Sequence, residues 1–427
     1  MAARITAVLM VLALAAAGAA HAGGVYLYEL DAASTSLASA GWTARAEDAG
    51  TIFSNPAGMA RLGDGALQVS LLPLYLDTRF GSDSSRTTTS GPDGDASSWL
   101  PLGGVEYVHG LSPNVKLGLA VGGYFGLALD YENGWVGRYY LDNIQLQAVT
   151  LEPALSFRAN ERWSFGVGAA VHYGMFKEEV AINNTPILLP GEAQPDGRLK
   201  IDATTWAVQA NLGVLWEPSD RTRVGLQYLS QASLDFSDTP EFTGLRPALE
   251  TALDAAGVLG TRLDVGMKMP QAVRLGSFHA LSDDWDLMAD IGWEQWSRFG
   301  KVDILLASDD ATSITVDRRY QDVWHAAIGA RKRASDPWDL RFGASYDSSM
   351  VKDVDRTPDL PLGATTRLAV GAEYRYSKDA AFAFGYELVW GGNLPMDVER
   401  GPLAGRVAGE YSNTAIHVLS GTWRRVF

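Results

Sequence analysis

Apolar and polar residues alternate with a period of two through much of this chain. From Trp338 to Asp347, the residues Trp338, Leu340, Phe342, Ala344 and Tyr346 alternate with Asp339, Arg341, Gly343, Ser345 and Asp347. From Arg367 to Tyr376, Leu368, Val370, Ala372, Tyr374 and Tyr376 form one face. From Ala381 to Trp390 the face is Phe382, Phe384, Tyr386, Leu388 and Trp390. The run Trp285–Glu294 repeats the pattern. Side chains of a β-strand point to opposite faces in turn, so this period predicts strands with one apolar face. About fourteen such segments are predicted, near the ten-residue length used to cross a bilayer. They lie near 66–80, 99–110, 115–130, 143–158, 161–178, 199–217, 221–237, 262–280, 284–299, 318–334, 337–348, 364–377, 380–391 and 411–427. Tight polar breaks such as 159–161, 218–220 and 377–379 predict turns, and the long polar stretches 81–98 and 183–198 predict outer loops.

Period-two alternation also suits a soluble sandwich, whose apolar faces turn inward. Two details favour lipid. The apolar faces repeatedly end in Trp or Tyr, the residues of an interfacial girdle. The chain also finishes as a strand-like segment with a terminal aromatic, Phe427, as outer-membrane barrel strands do. Arg425, two positions earlier, breaks the apolar face and fits there by snorkelling to the interface.

Two regions lack the strand period. Residues 23–65 are rich in Ala, Ser and Gly. Leu245, Leu249, Ala252, Leu253 and Ala256 fall at helical spacing, which predicts a short amphipathic helix over 245–257.

Composition agrees with a barrel facing lipid. Charged residues make up 20 % of the chain, against about 25 % in soluble domains. There are 45 glycines, 13 tryptophans and 16 tyrosines. At the N-terminus, Arg4, the apolar run Ile5–Ala20 and the small-x-small site Ala20-His21-Ala22 read as a cleaved secretory signal over 1–22. No later apolar run is long enough for a helical span. The net charge of −15 argues against a nucleic-acid partner. The lack of cysteine excludes disulfides, Cys-ligated metals and thiol catalysis, and suits passage through an oxidising periplasm. His109, His172, His279, His325 and His417 show neither a nucleophile–base spacing nor a metal motif. No enzyme activity, cofactor or metal is expected.

Several motifs carry a resemblance. Leu37-Ala38-Ser39-Ala40-Gly41, Ala46-Glu47-Asp48-Ala49-Gly50-Thr51 and Asn55-Pro56-Ala57-Gly58-Met59 are followed by Trp135-Val136-Gly137-Arg138-Tyr139, Trp293-Glu294-Gln295-Trp296-Ser297 and Arg356-Thr357-Pro358-Asp359-Leu360-Pro361. In order and spacing they resemble the FadL family of outer-membrane long-chain fatty acid and hydrocarbon transporters, through nearly the whole mature chain. The resemblance implies an all-β, antiparallel, fourteen-stranded transmembrane barrel over 66–427, its lumen closed by an N-terminal hatch over 23–65. It implies passive uptake of long-chain fatty acids or similar hydrophobic compounds in the outer membrane of a Gram-negative-type cell. Cargo would cross an apolar pocket and leave sideways through a gap made by an inward kink of the third strand. Partners so implied are the cargo, outer-membrane lipids and the barrel insertion machinery; a monomer suffices, because the hatch closes its own barrel.

Within that reading, Asn55, Pro56 and Ala57 are expected to fix the hatch backbone against the wall. Gly122, Gly123 and Gly126 lie in the third strand-like segment, where glycine permits a bulge. Arg138, Arg341 and Arg375 are candidates for the ligand path, together with the lumen-side Glu373 and Glu387. The alternative for such charges is mutual neutralisation. Leu245, Leu249 and Leu253 would offer an external capture groove, or pack on neighbouring loops. Other functions considered are import of aromatic or aliphatic hydrocarbons and a non-transporting structural or adhesive barrel. A general porin would lack the segment 23–65.

Overall fold

The computed structural model describes residues 26–185, 195–307 and 312–427. The expected signal segment 1–22 lies outside them. Fourteen antiparallel strands close into a barrel. They are β1 (Gly65–Asp77), β2 (Ser98–Ser112), β3 (Val115–Asp130), β4 (Asn143–Arg158), β5 (Trp163–Ile182), β6 (Gly197–Ser219) and β7 (Thr222–Leu229). They continue with β8 (Ala272–Ala280), β9 (Trp285–Glu294), β10 (Val323–Ser335), β11 (Trp338–Asp347), β12 (Thr365–Arg375), β13 (Ala380–Glu399) and β14 (Arg406–Val426). Closure runs through β1 and β14, with Ala66 opposite Val426 and Asp77 opposite Ala415. A closed barrel satisfies every strand edge, which is what hydrocarbon demands of a spanning sheet.

Connections alternate between short and long. The turns after Ser112, Arg158, Ser219, Ala280, Ser335 and Arg375 are short, whereas those after Asp77, Asp130, Ile182 and Asp347 are long. Short turns mark the periplasmic end and long loops the outer end. The outward side chains carry the apolar alternation seen in the sequence. Leu368, Ile328, Phe384 and Val208 are exposed to what is the lipid zone, with Trp163, Trp216, Trp285 and Trp338 at the periplasmic rim and Trp99, Trp206, Trp324 and Trp390 at the outer rim. Arg425 lies with its guanidinium 5.6 Å from the Phe427 ring, at the rim where a charge can reach water.

Four predicted strands differ from the structure in one way. The segments 221–237, 262–280, 284–299 and 318–334 are each interrupted: after Leu229, at Pro270-Gln271, at the helical turn Trp296–Phe299, and before Val323. Beyond these breaks, Ala232–Asp238, Arg262–Met269, Lys301–Ala307 and Thr312–Asp317 form a separate four-stranded sheet. Pro270 has no N–H to donate to a ladder. Outward residues also change character here, from Val273 and Leu275 to Asp264 and Lys268, so the wall leaves the bilayer at this level.

The predicted helix over 245–257 is present as α3, Pro247–Ala255, with Pro at its first position. Residues 26–64 lie inside the barrel and are mostly buried. They hold two short helices, α1 (Ala32–Ser36) and α2 (Thr51–Ser54), and a 3-10 turn, Pro56–Arg61. Asp31 caps α1, accepting the Ser34 N–H at 2.6 Å.

Candidate transport route

The segment 26–64 is tied to the wall by apolar packing, such as Leu37 and Ala40 with Met288 and Ala327, and by polar contacts. Asn55 is fully buried and uses its whole side chain. Its Oδ1 accepts the Ala57 N–H at 3.1 Å, capping the 3-10 turn. Its Nδ2 donates to Thr43 O at 2.7 Å and to Val214 O of β6 at 3.0 Å. Ser156 Oγ of β4 donates to Ala57 O at 3.2 Å. The wall answers with glycine: a Cβ at Gly213 would lie 2.0 Å from Asn55 Oδ1, and one at Gly166 would lie 2.2 Å from Ala57 N. No larger residue fits between the triplet and the sheet.

Charge completes the attachment. Glu47 pairs with Arg331 of β10 at 2.5 Å and Arg223 of β7 at 3.3 Å. Burial alone would push the Glu47 carboxyl up. The guanidiniums of Arg331 and Arg223 outweigh burial and hold it well below the usual carboxylate range. Asp290 of β9 accepts the N–H groups of Gly41, of Trp42 at 3.0 Å and of Thr43 at 3.4 Å. Ser39, His325 and Asp347 form a hydrogen-bonded series that sequence spacing hid. His325 Nε2 lies 2.8 Å from Ser39 Oγ, and His325 Nδ1 lies 2.7 Å from Asp347 Oδ1. Nucleophile, base and acid stand in triad order, but Ser39 is buried and Asp290 already holds the nearby N–H groups of Gly41 and Trp42. The series clamps Ser39 of the internal segment to His325 of β10 and Asp347 of β11.

Arg341 is buried and Arg375 is half-buried, and each is paired with an acid. Arg341 pairs with Glu373 at 2.6 Å, and Glu373 also binds Arg424 at 2.5 Å. Arg375 pairs with Asp339 at 2.5 Å. All stand near the periplasmic turns, and Arg341 and Arg424 lie close enough to Asp48 of the segment 26–64 to act on its charge. Arg138 lies in an outer loop, with Nε 2.6 Å from Asp196 and Nη1 2.5 Å from Ser90 O, so it joins three loops. Leu253 is buried against Val258, while Leu245 and Leu249 pack with Phe242 and Leu259. The apolar stripe of α3 therefore covers a small cluster of its own loop.

The glycine segment of β3 carries a bulge. Gly122 pairs with Thr150 and Phe125 with Ala148, so two residues of β3 oppose one of β4. The alternation shifts by one, and Tyr124 and Phe125 are both buried inside. β2 and β3 pair only from Val105–Val121 to Ser112–Val115. Above that point, Ser98–Gly104 keeps its ladder to β1 while Phe125–Asp130 follows β4, leaving a seam between β2 and β3. Leu27 N–H donates to Tyr124 O at 2.9 Å across the inner side of this bend.

A cavity of about 290 Å³ lies behind the seam, lined by Leu74, Leu76, Leu100, Leu102, Phe125 and Leu127 among others. A smaller chamber of about 60 Å³ adjoins it, sharing Leu27, Leu362 and Ile416. Its floor holds Arg367 of β12, whose Nε lies 3.2 Å from Glu29 and 3.3 Å from Glu387, and whose Nη1 binds Asp347. Glu294, from a motif singled out in the sequence, accepts from Tyr28 OH, Arg274 Nη2 and Trp296 Nε1, each at 2.7 Å.

An apolar pocket was expected, but not which residues line the larger cavity, though the sequence carries a trace of them. Leu71-Leu72-Pro73-Leu74-Tyr75-Leu76, Trp99-Leu100-Pro101-Leu102 and Phe125-Gly126-Leu127-Ala128-Leu129 are apolar on both faces. Lost alternation in a barrel strand marks a lumen wall that is dry.

Residues 13–427 match the family model described as outer membrane protein transport protein (OMPP1/FadL/TodX). The long-chain fatty acid transport protein of Salmonella typhi is 24 % identical over 397 residues, covering 88 % of this chain and 90 % of that one. Outer membrane protein P1 of Haemophilus influenzae is 24 % identical over 416 residues, covering 88 % of each. Among solved structures, a Pseudomonas aeruginosa FadL homologue superposes with a TM-score of 0.84 at 18 % identity, over 95 % of this chain and all of that one. The Pseudomonas putida toluene transporter TodX superposes at 0.69 and 16 % identity, over 94 % and 99 % of the two chains. The chain belongs to the outer membrane protein transport protein family, OMPP1/FadL/TodX.

Proposed function

We propose that this protein carries hydrophobic compounds, long-chain fatty acids or aromatic and aliphatic hydrocarbons, from the outer surface into the bilayer without energy input. It acts as a passage and not as an enzyme. The observation that carries this reading is the seam between β2 and β3, which joins an uncharged apolar cavity to the lipid-facing side of the wall. Such cargo dissolves poorly in water and gains about 0.8 kcal/mol for each CH₂ it buries. Sideways exit spares it the aqueous periplasm. In this reading the segment 26–64 is the hatch that stops straight-through flow, and Asn55-Pro56-Ala57 is its anchor. The relatives named for long-chain fatty acid and toluene transport support both cargo classes.

The test is uptake of labelled oleate and labelled toluene by cells that lack their own carrier, with and without this protein. A gain for either compound supports the proposal. No gain for either, with the barrel inserted, refutes it and favours a structural or adhesive role.

A further inference from the structure

Charge is unevenly placed between the two cavities. Among the described residues lining the larger cavity none is charged, and Thr78 and Gln147 are its polar side chains. The smaller chamber has one cation in its lining, Arg367. Three carboxylates already surround that guanidinium: Asp347 on Nη1, and Glu29 and Glu387 on Nε. Asp347 is shared with His325. Both oxygens of Glu387 and Oε1 of Glu29 are buried without a hydrogen-bond partner, and so is Arg367 Nε, 3.2 Å from Glu29 and 3.3 Å from Glu387, so in this cluster the acceptors outnumber the one donor that faces them. If an incoming molecule displaced Glu29, which belongs to the segment inside the barrel, Asp347 and Glu387 of the wall would still hold Arg367.

A carboxylate arriving here would meet acceptors that cannot donate to it and like charge in a site shielded from water. The wider interior has the same bias. Fifteen Asp and Glu residues are buried among the described residues, against eight Arg and Lys. A hydroxyl, a protonated carboxyl or no head group at all avoids the repulsion, and a hydroxyl or protonated carboxyl could donate to Glu387.

Resting on the transport reading above, we infer that the route takes its cargo uncharged: a hydrocarbon, a long-chain alcohol, or a fatty acid only in its protonated form. Glu387, Glu29 and Asp347 are the residues that exclude the anion, by neutralising Arg367.

The experiment compares two probes of equal chain length, 1-hexadecanol and palmitate. Saturable binding of each is measured at pH 8 to the full-length protein in nanodiscs, with empty nanodiscs subtracted. The expected result is hexadecanol binding at least tenfold tighter than palmitate. Glu29→Gln combined with Glu387→Gln removes two of the three carboxylates on Arg367 and should improve palmitate at least fivefold relative to hexadecanol. The wild-type comparison needs no variant, so a misfolded double variant leaves the inference testable. Palmitate binding as tightly as hexadecanol overturns the inference and leaves hydrophobic transport standing. No saturable binding of either probe defeats the transport reading, and the inference with it.

Discussion

Ser39 Oγ of the internal segment meets His325 Nε2 of β10 at 2.8 Å, across 286 positions of sequence. The Asp347 carboxylate can only accept, so the His325 Nδ1–H points to it, and Nε2 is left facing the Ser39 hydroxyl. Ser39 holds a left-handed backbone, φ 67°, flanked by Ala38 at φ 47°. Such values are costly for residues other than glycine and persist where surrounding contacts impose them. Here the clamp and the close fit against Gly343, where a Cβ would lie 2.0 Å from Leu37, impose them.

Ser39→Ala should therefore loosen the segment without unfolding the barrel. Loss of the bond leaves a buried imidazole nitrogen unsatisfied, at a cost of about 1–3 kcal/mol. Faster amide hydrogen exchange at residues 37–43, with unchanged exchange in β10, is the expected observation.

Asn55→Ala removes three hydrogen bonds, two within the segment and one to the wall. At about 1 kcal/mol each they amount to roughly 3 kcal/mol. Asn55→Asp should fail almost as badly, because it keeps the acceptor and loses both donated bonds. Single-channel conductance reads the effect: both variants should show open events that the native protein lacks.

The ion pairs of Glu47 give a pH dependence of definite sign. Its carboxyl is held below the ordinary glutamate value of 4.5, so its contribution is complete above that value and fades as pH falls below it. Hydrogen exchange in residues 41–50, corrected for its intrinsic pH dependence, should stay constant from pH 7 to 5 and quicken in stronger acid. Glu47→Gln should quicken it already at pH 7, by the equivalent of about 3 kcal/mol, since buried Arg223 and Arg331 lose a shared partner. A quickening between pH 7 and 5 in the native protein would contradict the assignment.

Arg341 and Arg375 behave as neutralising charges. Arg341→Met should lower thermal stability by leaving Glu373 with Arg424 alone, yet leave uptake per folded barrel within twofold. A large loss of uptake with normal stability would restore Arg341 to the path.

The lipid-facing half of this protein was legible in its sequence because one environment covers every outward position. Leu368, Val370 and Tyr374 alternate with lumen residues in a repeat that needs no knowledge of neighbours. The inward half obeys no such rule. Asp290 meets backbone N–H groups, Arg367 meets Glu29, and His325 meets Ser39, and each partner lies on a distant segment. The third-strand glycines were visible as a run, but the bulge depends on which residues face β4. The interruption at Pro270 was readable from the missing N–H. The helical turn at Trp296 was hidden by an alternating pattern that runs through it.

The seam between β2 and β3 is the centre of the functional reading, and the chain's lack of cysteine makes it directly testable. Leu100→Cys and Leu127→Cys place one thiol on each side of the cavity behind the seam. A cleavable bis-maleimide linker then joins them in intact cells, and uptake of labelled cargo is followed before linking, after linking and after cleavage. Lateral exit requires uptake to fall at least tenfold on linking and to return on cleavage. Unchanged uptake in fully linked protein would contradict it and place the exit elsewhere in the barrel.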